Sequence, residues 1–358
     1  MSILFSPYQL GPTPLKNRVV MSPMTRNRSL GNIPGDIVAT YYSQRAEAGL
    51  IVTEGTSPMA DGLGYARIPG LFDEKQVAAW KKATSAVHEA GGRIFVQLMH
   101  TGRASHVANL PEGARVLAPS AVALKGDIWV DPDGNRPASP PEVMTAADIE
   151  RTIEGYAHSC ALAIEAGFDG VELHGANGYL IDQFLNTASN QRTDEWGGSV
   201  ENRIRFAVEV ARRSAKRIGA DRLGIRVSPY GAFNEMVSDP AIEDVFETLA
   251  RELSALGLVY LHVVDHSSMG APEVTQSIKR KLREAFKQSL ILSGGYDCAR
   301  AEVDLTEKRA DLIAFGRPFI ANPRLVTRLE KGTALAEADF ATFYTPGEKG
   351  YSDYPVEA

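Results

Sequence analysis

The sequence is poor in the residues that would commit it to a disulfide scaffold, a metal centre or a membrane. Its 358 residues hold only two cysteines, Cys160 and Cys298. Two cannot build a disulfide framework, and neither has a CxxC partner or His/Cys company at metal spacing, so reduced thiols in a reducing compartment are expected. No stretch approaches the roughly 18 uninterrupted apolar residues of a membrane span. The opening MSILFSPYQLGPTPLKNR lacks a basic segment followed by a continuous apolar one, so a soluble, cytoplasmic protein is expected. The net charge of −6 comes without concentrated Lys and Arg, which disfavours a dedicated nucleic-acid or anionic-membrane surface.

What is present is the 44% hydrophobic, 23% charged composition of an ordinary globule. Short apolar runs alternate with helical patterns along nearly the whole chain. Eight strands are predicted: Arg18–Ser22, Leu50–Glu54, Ile94–Leu98, Gly170–His174, Leu223–Val227, Tyr260–Val264, Leu290–Ser293 and Leu312–Phe315. Most are continuously apolar, as parallel strands covered on both faces should be. Between them, Asp73 to Ala90 puts Val77, Trp80, Thr84 and Val87 on one face and stops at Gly91–Gly92. Thr145 and Asp148 form a capping-box pattern ahead of Ile149, Ile153, Tyr156, Cys160 and Ile164, which makes Cys160 core filler. Glu201–Ile218, Ile242–Leu256, Val274–Phe286, Ala299–Lys308 and Pro323–Lys331 complete the helices. Eight such units without a composition break predict an α/β fold, a single (β/α)8 TIM barrel over residues 1–358. A doubly wound open sheet is the rival, because alternation alone does not reveal closure.

The irregular segments all follow strands: 102–144 after the third, 175–200 after the fourth and 265–272 after the sixth. In a barrel these connections gather at the C-terminal face, where active sites form. Polar groups recur there: Thr25 after strand 1, Gln97 and His100 on strand 3, then His174, Asn177 and Tyr179 in VELHGANGYL. Arg226 lies on strand 5, Gly294–Gly295 end strand 7, and Gly316 and Arg317 end strand 8. Taken singly each is weak; their recurrence at one end of successive strands points to a site. The glycines after strand 7, and a helix start with Arg317 after strand 8, suit an anion. No GxGxxG follows a strand, no HExxH, P-loop or paired-Cys metal pattern occurs, and no strand ends in a Lys for a pyridoxal Schiff base. A phosphate-bearing cofactor fits best, with Thr25, Gln97 and Arg226 available for its polar head.

From about Leu4 to Pro355 the chain resembles the Old Yellow Enzyme family of FMN-dependent ene-reductases. The resemblance rests on LKNRVVMSPMTRNRS, VQLMHTGR, GFDGVELHGANGYLIDQFLN, QRTDEWGGSVENR, LGIRVSP, ILSGGYD, DLIAFGRPFIANPRL and FYTPGEKGYSDYP. Thr25, where another branch carries Cys, is similar to the branch that includes the bacterial N-ethylmaleimide, nitrate-ester and morphinone reductases. The resemblance implies that Pro23, Met24, Thr25, Gln97, Arg226, Gly294, Gly295, Gly316 and Arg317 hold FMN. Within that set it puts Thr25 and Gln97 at the isoalloxazine, Arg226 near the N1–C2 edge and Arg317 at the phosphate. His174 and Asn177 would bind the substrate oxygen, Tyr179 would donate the proton, and Tyr65, Met99 and Tyr344 would line the pocket. Met99 stands where many members have Trp, a departure that bears on substrate size and orientation rather than on redox chemistry.

The implied activity is NAD(P)H-dependent reduction of activated C=C bonds in unsaturated carbonyls, maleimides or nitroalkenes, and of nitro compounds or nitrate esters, by ping-pong hydride transfer. NADH and NADPH both remain open as reductant, and the chain is expected as a monomer or homodimer. A non-redox barrel lyase or isomerase acting on a phosphorylated substrate is the alternative. A barrel that has lost its chemistry is disfavoured by His174, Asn177 and Tyr179 all being present.

Overall fold

Eight parallel strands hydrogen-bond around a complete circle in a computed structural model that describes residues 2–356. In chain order they are Val19–Met21, Leu50–Thr56, Ile94–Leu98, Gly170–Gly175, Leu223–Val227, Tyr260–Val264, Ser289–Ser293 and Leu312–Phe315. The eighth pairs with the first, Ile313 opposite Val19, so the sheet closes and the open-sheet rival is excluded. All eight predicted strands exist, and the third, fifth, sixth and eighth have the predicted bounds.

The helices lie outside, each with one apolar stripe turned to the strands. Asp73 caps Glu74–Glu89 through the Gln76 N–H. Thr145 and Asp148 form the expected reciprocal capping box on Ala146–Glu165. Cys160 is fully buried in that stripe, and burial pushes its thiol up to about 12. Val200–Ile218, Ile242–Leu256, Gln276–Ala285, Cys298–Thr306 and Leu325–Lys331 occupy the remaining predicted positions. The helix after the first strand, Asp36–Ser43, has no counterpart among the predicted ones. At eight residues it offers barely two turns of periodicity and sits behind a Gly- and Pro-rich approach.

Two other features depart from expectation. A hairpin, Tyr8–Leu10 with Thr13–Leu15, sends Leu10 and Leu15 into the cluster formed by Val20, Leu50, Val52, Phe95, Tyr260 and Leu312, closing the N-terminal end of the barrel. Segment 102–144 is ordered rather than irregular. It holds the hairpin Asp127–Val130/Gly134–Pro137 and the pair Leu117–Ala118/Glu142–Val143. Arg192 ties it to the loop after the fourth strand by donating to the carbonyls of Pro119 and Met144.

Candidate active site

The site is built on a register. His174, Arg226 and His262 are Cα partners across the fourth, fifth and sixth strands. One pleat below, Glu172 pairs with Gln97 on one side and Gly224 on the other. Glu172 and His174, two residues apart, share a strand face, and that face is the barrel interior, since Glu172 reaches beyond its neighbouring strand. Its Oε2 accepts from Tyr260 Oη at 3.0 Å and from His262 Nδ1 at 2.8 Å, and its Oε1 accepts from Gln97 Nε2 at 2.8 Å. Gly224 makes this possible: a Cβ there would lie 2.3 Å from the Tyr260 ring. His262 Nε2 meets Ser293 Oγ at 3.0 Å, which completes a fully buried polar floor.

Above that floor several polar atoms lack a partner. Arg226 is 6% exposed and its Nε has no partner. Burial lowers its pKa while Glu172, Tyr260 and Tyr179 raise it, so the guanidinium keeps its charge. Gln97 has given its N–H2 to Glu172, and nothing among the described residues donates to its Oε1. His174 is 3% exposed. Burial, then the charge of Arg226, holds its imidazole well below the usual value and therefore neutral. The Ala176 N–H donates to His174 Nδ1 at 3.3 Å, so the ring proton lies on Nε2.

The fourth-strand loop then turns through two left-handed residues, Asn177 (φ 60) and Gly178 (φ 72). Gly178 has to be glycine for a second reason: a Cβ would fall 2.7 Å from Phe233 O and Asn234 Cβ in the fifth-strand loop. Tyr179 follows with its ring edge-on to His174, centroids 4.8 Å apart. Tyr179 also packs edge-on to Tyr65, ring centroids 6.0 Å apart. Burial, then the neighbouring Tyr65, raises the Tyr179 phenol well above its ordinary value, so it remains protonated at neutral pH. Asp182 Oδ2 accepts from the Gly178 N–H at 2.8 Å and steadies the turn; burial pushes this carboxyl up to about 7.

Other residues singled out from sequence lie in the loops around these strand ends. Thr25 and Met24 are half-buried and Pro23 buried beyond the first strand. Tyr344 is 55% exposed at the rim, its carbonyl held by Arg67 Nη2 at 3.0 Å. Met99 lies deeper, buried with Leu63, Ile68, Leu110 and Val116 behind Tyr65 and Tyr179. His100 is fully buried, 3.6 Å from Asp61. Sequence reasoning passed over Glu172, His262, Tyr260, Ser228, Asn234 and His266. Glu172 carried a signal, being a charged residue at i−2 from His174 inside an apolar strand.

The ends of the seventh and eighth strands offer a candidate anion site. Ser293 pairs with Ala314, and Gly294–Gly295 and Gly316 follow the ends of those two neighbouring strands. A Cβ on Gly294 would strike the Asp265 carbonyl at 2.0 Å, whereas on Gly295 or Gly316 it would meet nothing nearer than 3.5 Å. That open space is flanked by Arg317, exposed and without a side-chain partner among the described residues, at the start of the short helix Pro318–Ala321. Open glycine backbone, an exposed guanidinium and a buried unpaired one fit the phosphate and the polar ring edge of a flavin nucleotide.

A barrel with a buried, unpaired cation and open glycine backbone beside an exposed arginine suits a flavin-dependent oxidoreductase. Residues 3–336 match the NADH:flavin oxidoreductase / NADH oxidase family, and the chain belongs to it, the Old Yellow Enzyme family of FMN-dependent, nicotinamide-driven ene-reductases. It is 40% identical to 12-oxophytodienoate reductase 7 of Oryza sativa subsp. japonica, over 98% of this chain and 94% of the relative. It is 39% identical to a probable flavin mononucleotide-dependent alkene reductase of Leishmania infantum, over 99% and 98%. Among solved structures, morphinone reductase superposes with a TM-score of 0.96 at 42% identity, covering 99% of this chain and 96% of that one. The complex of morphinone reductase with tetrahydroNAD gives 0.94 at the same identity. With membership of an oxidoreductase family shown, the non-redox lyase or isomerase reading falls. Among the described residues no helix is long and apolar enough to cross a membrane.

Proposed function

We propose that the chain reduces electron-poor alkenes, namely α,β-unsaturated carbonyls, maleimides and nitroalkenes, and extends to nitro compounds and nitrate esters, in a ping-pong cycle with NADPH or NADH. The observation that carries this is the neutral His174 Nε2–H and the protonated Tyr179 phenol, edge-on to one another beside the unpaired Arg226, with Asn177 on the same turn. FMN, when bound, supplies the hydride, taken from the nicotinamide and passed to the β-carbon of the acceptor.

This chain's residues supply the rest. Pro23, Met24, Thr25, Gln97 and Arg226 would hold the ring system of FMN, and Gly294, Gly295, Gly316 and Arg317 its phosphate. Arg226 would offer that ring a full positive charge, which suits the anionic character of a reduced flavin. His174 and Asn177 donate to the acceptor's carbonyl or nitro oxygen, and because both are preorganised their hydrogen bonds strengthen as charge develops there. Tyr179 delivers a proton to the α-carbon and relies on its raised pKa to remain an acid. Tyr65, Met99 and Tyr344 shape the pocket, Met99 from behind. Residues 1–358 act as one FMN-binding barrel domain, with 102–144 and 175–200 as active-site loops, and the reduced state of Cys160 and Cys298 suits the cytoplasm.

The alkene reductase from Leishmania infantum and the complex of morphinone reductase with tetrahydroNAD support this reading. The test is an anaerobic titration of the FMN-loaded protein with NADH and NADPH separately. Each acceptor class is then added: 2-cyclohexenone, N-ethylmaleimide, a nitroalkene and a nitrate ester. Bleaching by the nicotinamide and recovery of colour with the enone are expected. A colourless protein that takes up no FMN overturns the proposal.

A further inference from the structure

Asn177 poses a question that its own chemistry leaves open. The two ends of a carboxamide are alike in size, but one accepts and the other donates, and only the donor end can serve an oxygen that is gaining charge. Three neighbours on two loops surround this residue. Its N–H donates to Ser228 Oγ at 2.9 Å, and its carbonyl accepts from Asn234 Nδ2 at 2.8 Å, so the fifth-strand loop grips the backbone on both sides. The side-chain oxygen, Oδ1, lies 2.7 Å from His266 Nε2 in the loop that follows the sixth strand. A carboxamide oxygen can only accept, so the ring donates and Nε2 carries the proton.

The His266 ring is itself braced. It stands edge-on to Phe233, centroids 4.7 Å apart at 72°, and Phe233 adjoins the Asn234 that grips Asn177. Burial, and then the charge of Arg226, pushes His266 down to about 4, so at neutral pH the ring has a single N–H. The contact geometry commits that one proton to Asn177.

We propose that His266 is a positioning residue that turns Asn177 Oδ1 away from the substrate, so that Asn177 presents its Nδ2–H2 to the acceptor's oxygen. The proposal rests on the reading of Asn177 as an oxyanion donor. Without His266 the carboxamide turns freely and offers its oxygen, a lone-pair acceptor, to the developing oxyanion for part of the time. The site then has to orient its donor during the reaction instead of beforehand. His266 touches neither substrate nor cofactor in this role; it acts through Asn177.

The experiment uses the FMN-loaded protein with 4-hydroxybenzaldehyde, whose phenolate mimics the oxyanion, titrated at equilibrium through the bound flavin's absorbance. His266→Ala is expected to raise the dissociation constant about 3- to 10-fold, the worth of one intramolecular hydrogen bond. His266→Gln, which carries an N–H2 at the Nε2 position, is expected to restore it to within about twofold. In an Asn177→Ala background, His266→Ala should add nothing further, because the two act as one unit. Unchanged affinity in His266→Ala, or an equal loss in both backgrounds, overturns the positioning role while leaving Asn177 as donor. If Asn177→Ala alone leaves phenolate affinity intact, the donor reading fails beneath it and the role of His266 fails with it.

Discussion

His262 Nδ1 lies 2.8 Å from Glu172 Oε2 at the centre of the barrel, with both side chains fully buried. The pair is the base on which Arg226 stands. A guanidinium buried between two strands needs a compensating carboxylate, and Glu172 supplies it from one pleat below without consuming the Arg226 donors. Tyr260 and Gln97 complete the set of donors on Glu172, and Gln97 is thereby left with only its oxygen to offer.

Glu172→Gln should show what that floor contributes. The substitution keeps the shape but brings an N–H2 group into a pocket of three donors, so at least one buried donor loses its partner. A loss of about 1–3 kcal/mol is expected, read as a lowered thermal midpoint of the FMN-free protein. FMN should also bind more weakly, because Gln97 is no longer held. An unchanged midpoint with unchanged FMN affinity contradicts the assignment.

Tyr179→Phe should leave reduction of the bound flavin by NAD(P)H nearly unaltered and slow its reoxidation by 2-cyclohexenone by about 100-fold or more, the usual worth of a positioned general acid. Because the phenol is held well above its ordinary value of 10, the reoxidation rate of the unaltered protein should not fall between pH 6 and 10. Stopped-flow measurement of the two half-reactions separates these effects. Undiminished enone turnover in the Phe variant removes Tyr179 from the role.

Glu54 gives a stability prediction. Burial raises its carboxyl to about 7 from 4.5, opposed by the Arg26 N–H and the guanidinium groups of Arg26 and Arg28. The folded state thus holds the proton more tightly than the unfolded one. This contribution is fully present below pH 4.5 and is lost as pH rises through 7, a change of about 3 kcal/mol. Glu54→Gln keeps an acceptor for the Arg26 N–H and removes the titration. Its stability relative to the parent should therefore rise by that amount between pH 4.5 and 8 in urea unfolding, and a pH-independent difference refutes the raised value.

Gly178→Ala is expected to cost more than about 1 kcal/mol, since it combines a left-handed backbone with a clash against the fifth-strand loop. Asn177 and Tyr179 flank it, so kcat/KM for the enone should fall more than the rate of flavin reduction. Equal losses in both half-reactions would indicate a general distortion instead.

The strands were legible because parallel barrel strands are continuously apolar, and the capped helices because Asp73 and Thr145 announce their starts. Asp36–Ser43 was not legible, since eight residues give periodicity too little length to register. For the candidate site, one segment suggests His174, Asn177 and Tyr179, and the glycines that end two strands suggest Gly295, Gly316 and Arg317. Ser228, Asn234 and His266 could not be read in this way, because they lie in two other loops, after the fifth and sixth strands, and nothing local distinguishes His266 in VVDHSSMG from a solvated loop histidine.

The order of elements, their approximate ends and the type of chemistry at the strand ends all follow from the sequence itself, since apolar period, caps and turn residues are local properties. Which polar groups are paired and which remain free was decided only in three dimensions. Arg226 is unpaired because closure sets it opposite His174 and His262, with Glu172 one pleat below. Sliding one strand by a single residue would turn that face outward. Register across a closed sheet is a property of all eight strands together, and no single segment contains it.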